Sequence, residues 1–276
     1  MYTIIKKAEI APNINLFEFE AKEIALASKP GHFIILLVDE KGERIPLNIG
    51  SVDKDKGTIT VLCHEVGKST KQLGKLKKGD KIPDLLGPLG KPAEIKKFGT
   101  VLCVCGDVFS PSMHFTAQAL RKKGNKIIGV LGARTKEEII FEKPMKDVCD
   151  KLYIATDDGT KGHKGLAFLN DILKKEHIDR VVAMGPTILM KTISAITLPY
   201  KIPTQVYLIP LMVDGMGMCG ACRVTVDDEV LFACVDGPFF DGHKVDFDEL
   251  ATRLKSYTPK EKIAYIFYEE KKGANK

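Results

Sequence analysis

Residues 100–134 read TVLCVCGDVFSPSMHFTAQALRKKGNKIIGVLGAR. An apolar segment is followed by a helical pattern and then by a second apolar segment, which indicates a strand, a crossover helix and a parallel strand. The alternation continues to residue 208, through segments such as KLYIATDDG and VVAMGP. The sequence therefore predicts an α/β domain over residues 98–208, with a Rossmann-like parallel sheet.

The turns that follow these strands contain polar residues and glycines. Such sheets bind ligands at the carboxyl ends of their strands, so these turns outline a nucleotide-sized cleft. Turns also select the same residue types for backbone reasons alone, which is the alternative interpretation. The candidate binding residues are Gly106, Asp157, Asp158, Gly185 and Pro186.

Residues 1–97 have a different pattern of apolar residues and turns. Short strands such as YTIIKKAEI, INLFEFEA and GTITVLCHEV recur between turns, which predicts a small antiparallel barrel. We expect one helix here, STKQLGKL. The turn before it holds Gly67, Ser69 and Thr70, whose N–H groups and hydroxyls can cradle a diphosphate at the positive helix end. Ordinary helix capping is the alternative.

Three cysteines lie close together in residues 209–246. The segments CRVTV and VLFAC flank the turn DDE in the alternation of a β-hairpin, which brings Cys222 next to Cys234. Plant-type 2Fe-2S loops follow the spacing C-x4-C-x2-C with a distant fourth ligand, and counting back from Cys219 reaches Asp214. We expect these four residues to bind a 2Fe-2S cluster. Structural zinc and a metal-free hairpin are the alternatives.

The other four cysteines and the overall composition indicate a cytosolic protein. Cys63, Cys103, Cys105 and Cys149 lie in or beside apolar runs and are expected in the core. No signal peptide precedes the first strand, and no apolar run is long enough to cross a bilayer. The net charge of +6 comes from scattered lysines, which argues against a nucleic-acid partner.

The stretches MVDGMGMCGACRVTV and FACVDGPFFDGHKVDFDEL resemble the small subunit of the NADH-dependent reduced ferredoxin:NADP oxidoreductases, an electron-bifurcating family. The resemblance extends over nearly the whole chain, through PGHFIILLVDEKGERIPLNIGSVD and VVAMGPTILMK. The electron-transfer subunit of dihydroorotate dehydrogenase and the sulfide dehydrogenase small subunit are less similar. The dihydroorotate-type subunit usually has cysteine as first ligand, so Asp214 favours the bifurcating family.

The resemblance implies a ferredoxin-NADP reductase-like FAD barrel, the Rossmann-like nucleotide domain, a 2Fe-2S module and a C-terminal helix over 247–276. It implies that Arg44 contacts the FAD diphosphate and that Pro46, Leu47 and Asn48 lie along the flavin. Asn48 stands where the family usually has Thr or Ser, and an amide still forms hydrogen bonds there. His64 ends the neighbouring strand and is a further flavin-side candidate.

The resemblance also implies a heterodimer. Electrons would pass between a two-electron carrier, the FAD and cluster of this chain, and a large subunit with a second FAD, two 4Fe-4S clusters and the sites for NADP(H) and ferredoxin. No side chain of this chain stands out as a catalytic acid or base. The alternative functions are the electron-transfer subunit of a dihydroorotate or sulfide dehydrogenase, a stand-alone flavin reductase, and a zinc-stabilised nucleotide-binding module.

The NAD(H) site departs from the family pattern. The family usually has G-G-G-x-G-x-A-P after the first strand of the nucleotide domain, whereas residues 104–111 read VCGDVFSP. We expect Val108 and Phe109 to fill cofactor space and Asp107 to repel phosphate. The alternatives are that the turn shifts and NAD(H) binds, that another redox carrier replaces it, or that NADP(H) binds with Arg134 on its 2′-phosphate.

Overall fold

A computed structural model describes residues 1–40 and 42–273. It contains a seven-stranded antiparallel sheet, a second seven-stranded sheet that is mostly parallel, and a two-stranded hairpin. The predicted fold class, a β-barrel followed by an α/β unit, is confirmed. Residues 274–276 of the predicted C-terminal segment lie outside the described residues. Within the described ranges, no helix combines the length and the apolar character needed to cross a membrane.

The first sheet closes on itself. Its strand order is β6-β1-β2-β5-β4-β3-β7, so β6 and β7 form its two edges. Only Pro83 separates these edge strands in sequence, which brings the two edges together and makes the sheet a nearly closed barrel. The elements are β1 (Tyr2–Ala11), β2 (Ile14–Glu20), α1 (Lys22–Ala27), β3 (Phe33–Leu37), β4 (Arg44–Asp53), β5 (Thr58–His64), α2 (Lys68–Lys75), β6 (Lys81–Ile82) and β7 (Asp84–Leu89).

The barrel core follows from alternation along its strands. In β2, Phe17 and Phe19 point inward and are fully buried, whereas Glu18 and Glu20 between and after them are not. The expectation of a single helix in this region was wrong, because the structure also contains α1. Its six residues are too few to show a helical period, so the sequence gave no clear signal.

The second sheet has the order β11-β10-β9-β8-β12-β13-β16. Its first six strands are parallel, whereas β16 pairs antiparallel with β13. Helices connect the successive parallel strands as predicted, except that a short loop joins β10 to β11, a two-residue strand that the sequence did not predict. The elements are β8 (Thr100–Gly106), α3 (Ser110–Lys122), β9 (Lys126–Ala133), α4 (Glu142–Val148), β10 (Lys151–Thr156), β11 (His163–Lys164), α5 (Leu169–Lys175), β12 (Arg180–Met184), α6 (Thr187–Thr197), β13 (Thr204–Tyr207) and, later in the chain, β16 (Phe239–Asp241).

The cysteine-rich segment forms the predicted hairpin of β14 (Arg223–Val226) and β15 (Glu229–Phe232). Asp227 and Asp228 form its turn with φ of 56° and 63°, the left-handed pair that a tight hairpin requires. Two helices follow, α7 (Phe247–Leu254) and α8 (Thr258–Gly273).

One hydrophobic cluster joins the three parts of the molecule. It contains Phe33 from the barrel, Val104 from the parallel sheet, Val224 from the hairpin and Leu250 from α7. These side chains are at most 2% exposed. The hairpin is therefore held against both sheets by shared burial of apolar side chains.

Candidate functional site

A cavity of about 410 Å³ opens at the carboxyl ends of the parallel strands. Gly106, Asp157 and Pro186 line it, at the ends of β8, β10 and β12. Gly185 is absent from the lining, although a Cβ there would lie 3.2 Å from the side chain of the lining residue Leu189. The volume falls within the range of small-molecule sites, about 300–1,000 Å³. Three of the five strand-end candidates thus line one cleft.

The fifth candidate, Asp158, is engaged in its own turn. Its carboxylate accepts hydrogen bonds from the N–H and the hydroxyl of Thr160, at 2.9 and 2.7 Å. Both hydrogen bonds hold the pKa of Asp158 below its usual range. The bond from the Thr160 N–H has the larger effect, and the bond from the Thr160 hydroxyl has the smaller. This carboxylate stabilises the loop after β10 and is absent from the residues that line the cleft.

The expected steric obstacle in the cleft is wrong. Val108 packs against the cluster of Ile14 and Leu62, and Phe109 packs against the core between β8 and its neighbours. The turn achieves this because Asp107 adopts φ of 57°, which directs the following side chains into the protein. Gly106, which the family pattern shares, lines the cleft. Of the residues in this turn that depart from the pattern, only Asp107 lines it.

Asp107 connects the cleft to the barrel. Its Oδ2 lies 3.5 Å from Nδ1 of His64, the last residue of β5, so the predicted flavin-side histidine reaches the cleft entrance. Arg134 also lines the cleft, where its guanidinium pairs with Glu138 at 2.5 Å. Glu138 was not predicted as a site residue, although its position four residues after Arg134 is a signal for such a pair.

The predicted FAD contacts in β4 lie on different faces. Arg44 donates to Asp84 at 2.8 Å, across β3 on the barrel surface. Leu47 packs against the barrel core, whereas Pro46 and Asn48 are half-buried on the alternate positions of the strand. The assignment of these residues to FAD stays a prediction.

A second cavity, of about 390 Å³, lies where α2 begins. The predicted cradle residues Gly67, Ser69 and Thr70 line it, together with Glu43 and Ile45 from the approach to β4. The Thr70 hydroxyl accepts hydrogen bonds from the N–H groups of Val66 and Gly67, at 3.0 and 2.9 Å, which is the capping role left open by the sequence. Its cradle role stays a prediction.

The cysteine loop brings two sulfur atoms into contact. The Cys222 thiol donates to the Cys234 sulfur at 3.1 Å, and both residues are 2% exposed. Burial raises the pKa of the Cys234 thiol to about 12. A metal bound here must therefore displace a proton from the thiol.

Asp214 and Cys219 lie on the loop that covers this pair. The Asp214 carboxylate accepts hydrogen bonds from the N–H groups of Met216, at 2.8 Å, and Cys219, at 2.6 Å. Cys219 is exposed, and the N–H of Ala221 donates to its sulfur at 3.5 Å. Within the described part of the chain, no three acidic, His or Cys side chains are arranged as a preformed metal site.

The donor set fits an iron–sulfur cluster. Three thiols and backbone N–H groups in a glycine-rich loop match the needs of iron and sulfide. Gly215, Gly217 and Gly220 have φ of 72°, 83° and 65°, which side chains disfavour. Full ligation requires Cys219 and Asp214 to turn toward the buried pair. Their roles as ligands therefore stay predictions.

Three of the remaining cysteines are core residues, and Cys149 is partly buried against the core. Cys63, Cys103 and Cys105 are at most 1% exposed. Burial raises the pKa of the Cys63 and Cys105 thiols to about 12, and that of Cys103 well above its ordinary value. Neutral buried thiols behave as small apolar side chains, as the sequence predicted.

Comparison with known proteins agrees with this architecture. Residues 210–246 match the iron-sulfur cluster binding domain of dihydroorotate dehydrogenase B. A Thermotoga maritima protein described as a dihydroorotate dehydrogenase B (NAD(+)), electron transfer subunit homolog is 42% identical over 264 residues, which are 95% of this chain and 93% of that protein.

Two solved structures are similar. A structure of NADH-dependent reduced ferredoxin-NADP oxidoreductase, which addresses flavin-based electron bifurcation, aligns with a TM-score of 0.91 and 42% identity over 97% of this chain and 98% of that one. Phthalate dioxygenase reductase aligns with a TM-score of 0.61 and 18% identity, over 82% and 85% of the two chains, and shares the fold.

The barrel, the parallel sheet and the cysteine loop define a flavin and iron–sulfur oxidoreductase subunit of the ferredoxin-NADP reductase type, with FAD and a 2Fe-2S cluster as its cofactors. The chain belongs to the family of dihydroorotate dehydrogenase B electron-transfer subunits and their homologues. The resemblance that the sequence showed to the small subunits of this group is confirmed.

We expect Cys222→Ser to abolish the cluster, because a buried hydroxyl is a poor ligand for iron. Iron content and visible absorption of the anaerobically purified protein measure this, and should fall from roughly two irons per chain to near zero. Cys149→Ser is the matched control, since Cys149 lies far along the chain from the loop. Equal iron content in both variants would refute the assignment.

Gly215→Ala should destabilise the loop more than Gly124→Ala does. Both glycines have positive φ, so each substitution costs about 1–2 kcal/mol of backbone strain. A Cβ at Gly215 would also approach Leu89 to 2.8 Å and Ile35 to 3.0 Å, whereas nothing lies within 4 Å at Gly124. The added overpacking costs about 1–3 kcal/mol. Faster cluster release to a chelator in Gly215→Ala alone would confirm this.

Proposed function

We propose that this chain is the small subunit of an electron-bifurcating, NADH-dependent reduced ferredoxin:NADP oxidoreductase. It exchanges electrons between a two-electron carrier and a large subunit that binds a second FAD, two 4Fe-4S clusters, NADP(H) and ferredoxin. The observation that carries the proposal is the likeness to a protein of that activity over nearly the full length of both chains. A cytosolic location is part of the proposal.

The chain's own residues position the cofactors. FAD exchanges electron pairs and the cluster passes single electrons, so their separation and surroundings set the rates. The hydrophobic cluster that contains Phe33 and Cys222 keeps water away from the buried thiol pair and fixes the hairpin to the barrel. No side chain needs to act as a proton donor in this scheme.

NAD(H) is the two-electron carrier in this proposal. The cleft has space for one end of a dinucleotide, because the side chains of Val108 and Phe109 pack against hydrophobic clusters inside the protein. Arg134 is held by Glu138, so a 2′-phosphate would have to displace a carboxylate to reach it. The Arg134 side chain is 70% exposed, so this pair disfavours NADP(H) by at most about 1 kcal/mol.

The decisive experiment combines this chain with its large subunit under anaerobic conditions. We expect NADP⁺ reduction only when NADH and reduced ferredoxin are both present. Omission of either donor should stop the reaction. NADP⁺ reduction by one donor alone would contradict bifurcation, and full activity of this chain by itself would identify a stand-alone flavin reductase.

A second candidate is the electron-transfer subunit of a dihydroorotate dehydrogenase, for which the Thermotoga maritima relative is named. In that case a complex with a partner subunit would reduce NAD⁺ with dihydroorotate, with no requirement for ferredoxin. Asp214 argues against this candidate, because that type usually has cysteine as the first ligand.

Asp107→Asn should tighten NADH binding about fivefold. Repulsion between the Asp107 carboxylate and a cofactor phosphate about 4 Å away in water would cost about 1 kcal/mol of binding free energy. Asparagine removes this charge and tolerates the positive φ of the position. Anaerobic titration with NADH, monitored by flavin bleaching, measures the dissociation constant. Asp158→Asn removes the same charge outside the cleft and should change little. Equal effects of the two variants would exclude a local role for Asp107.

A further inference from the structure

The helix α7 is fixed beside the cysteine hairpin. Its side chains Phe247 and Leu250 are buried in the hydrophobic cluster that also contains Cys222 and Cys234. Asp246, the residue before the helix, caps its first turn, because its carboxylate accepts hydrogen bonds from two N–H groups there, at 3.0 and 2.8 Å. The last turn of α7 is therefore held at a defined place next to the cysteine loop.

Arg253 lies in that last turn and reaches the cysteine loop. It follows Leu250 by three residues, so it lies on the same face of the helix. Its Nη2 donates a hydrogen bond to the carbonyl oxygen of Ala221, at 3.2 Å. Its Nε is buried and has no hydrogen-bond partner among the described residues. Within the same residues the guanidinium pairs with no carboxylate, so its positive charge is not neutralised locally.

The Ala221 carbonyl belongs to the peptide group that ends at Cys222. In a planar trans peptide, the C=O of one residue and the N–H of the next point in opposite directions. The hydrogen bond from Arg253 to the carbonyl therefore also sets the direction of the Cys222 N–H. A side chain of α7 thus orients the backbone next to a buried thiol that is a predicted cluster ligand.

The preceding peptide group shows what such an orientation does. A guanidinium nitrogen of Arg223 lies 3.4 Å from the carbonyl oxygen of Gly220, at one end of this peptide. At its other end the N–H of Ala221 donates to the Cys219 sulfur, at 3.5 Å. A carbonyl that faces an arginine thus leaves an N–H group for a sulfur ligand. Hydrogen bonds to sulfur are among the factors that set the potential of an iron–sulfur cluster.

We propose that Arg253 is a positioning residue that raises the reduction potential of the 2Fe-2S cluster. The inference rests on the electron-transfer role in the proposed function and on the predicted ligand Cys222, and it concerns a residue outside the matched segment 210–246. Reduction adds one electron, and so one negative charge, to a centre whose thiolate ligands are already anionic. A cation held beside the loop stabilises the reduced form more than the oxidised form.

A cation in the last turn of a helix also interacts favourably with the helix dipole. Lys255 follows Arg253 at the end of α7 and is exposed. A role in helix stability alone would make these two cations equivalent, whereas a role at the cluster assigns an effect to Arg253 only. Lys255 is therefore the matched control.

The test is a redox titration of the anaerobically purified full-length protein, in which electron paramagnetic resonance follows the reduced cluster. Arg253→Gln removes the charge and should lower the ratio of reduced to oxidised cluster about tenfold at a given potential, which is a midpoint potential lowered by about 59 mV for one electron. Arg253→Lys keeps a positive charge, so its ratio should stay within roughly threefold of that of the unmodified protein. Lys255→Gln should leave the midpoint potential unchanged.

Three results would overturn the inference and leave the proposed function standing. They are an unchanged midpoint potential in Arg253→Gln, an equal decrease in Lys255→Gln, and a decrease in Arg253→Lys as large as that in Arg253→Gln. The last result would show that the charge is not the cause.

Iron analysis decides the case in which Arg253→Gln does not assemble the cluster. Loss of iron from Arg253→Gln with retention in Arg253→Lys would support a role of the charge at the cluster. Loss from both variants would reduce Arg253 to a structural contact and overturn the inference. An unmodified protein that holds no cluster would overturn both the inference and the proposed function.

Discussion

The contact between Cys222 and Cys234 is the constraint on which the arrangement of the molecule depends. The two sulfur atoms meet 3.1 Å apart at the end of a hairpin, inside a hydrophobic cluster shared with Phe33 of the barrel and Val104 of the parallel sheet. A cluster bound at this pair is therefore fixed relative to both sheets. Electron transfer depends on distance, and a shared, close-packed core fixes the separation between donor and acceptor.

Most of the fold could be predicted because its signals are local. Strands that alternate with helices over residues 98–208 identify a parallel sheet, and the DDE turn identifies the hairpin at Asp227 and Asp228. Two features could not be predicted. The helix α1 is too short to show a period, and β16 joins the parallel sheet through contacts with β13 that no local pattern encodes.

The candidate site was predictable in its residue types and not in its geometry. The loss of the family glycines suggested that Val108 and Phe109 block the cleft. In the structure Asp107 has a positive φ, and both side chains pack into the protein interior. The resemblance implies that Arg44 contacts the FAD diphosphate, which stays a prediction, and in the structure its guanidinium pairs with Asp84. The approach of α8 to α2 depends on tertiary contacts such as that of Tyr265, which sequence spacing does not reveal.

The late position of β16 in the chain has a consequence for protein synthesis. Its residues, Phe239–Asp241, cover the edge of the parallel sheet at β13, which is complete more than thirty residues earlier. At a translation rate of about 5–20 residues per second, the uncovered edge waits seconds for its partner on the ribosome. Exposed strand edges recruit other chains, so β13 is open to unwanted pairing until β16 is added. Because β16 follows the cysteine hairpin in the chain, this edge is covered only after β14 and β15 have been synthesised.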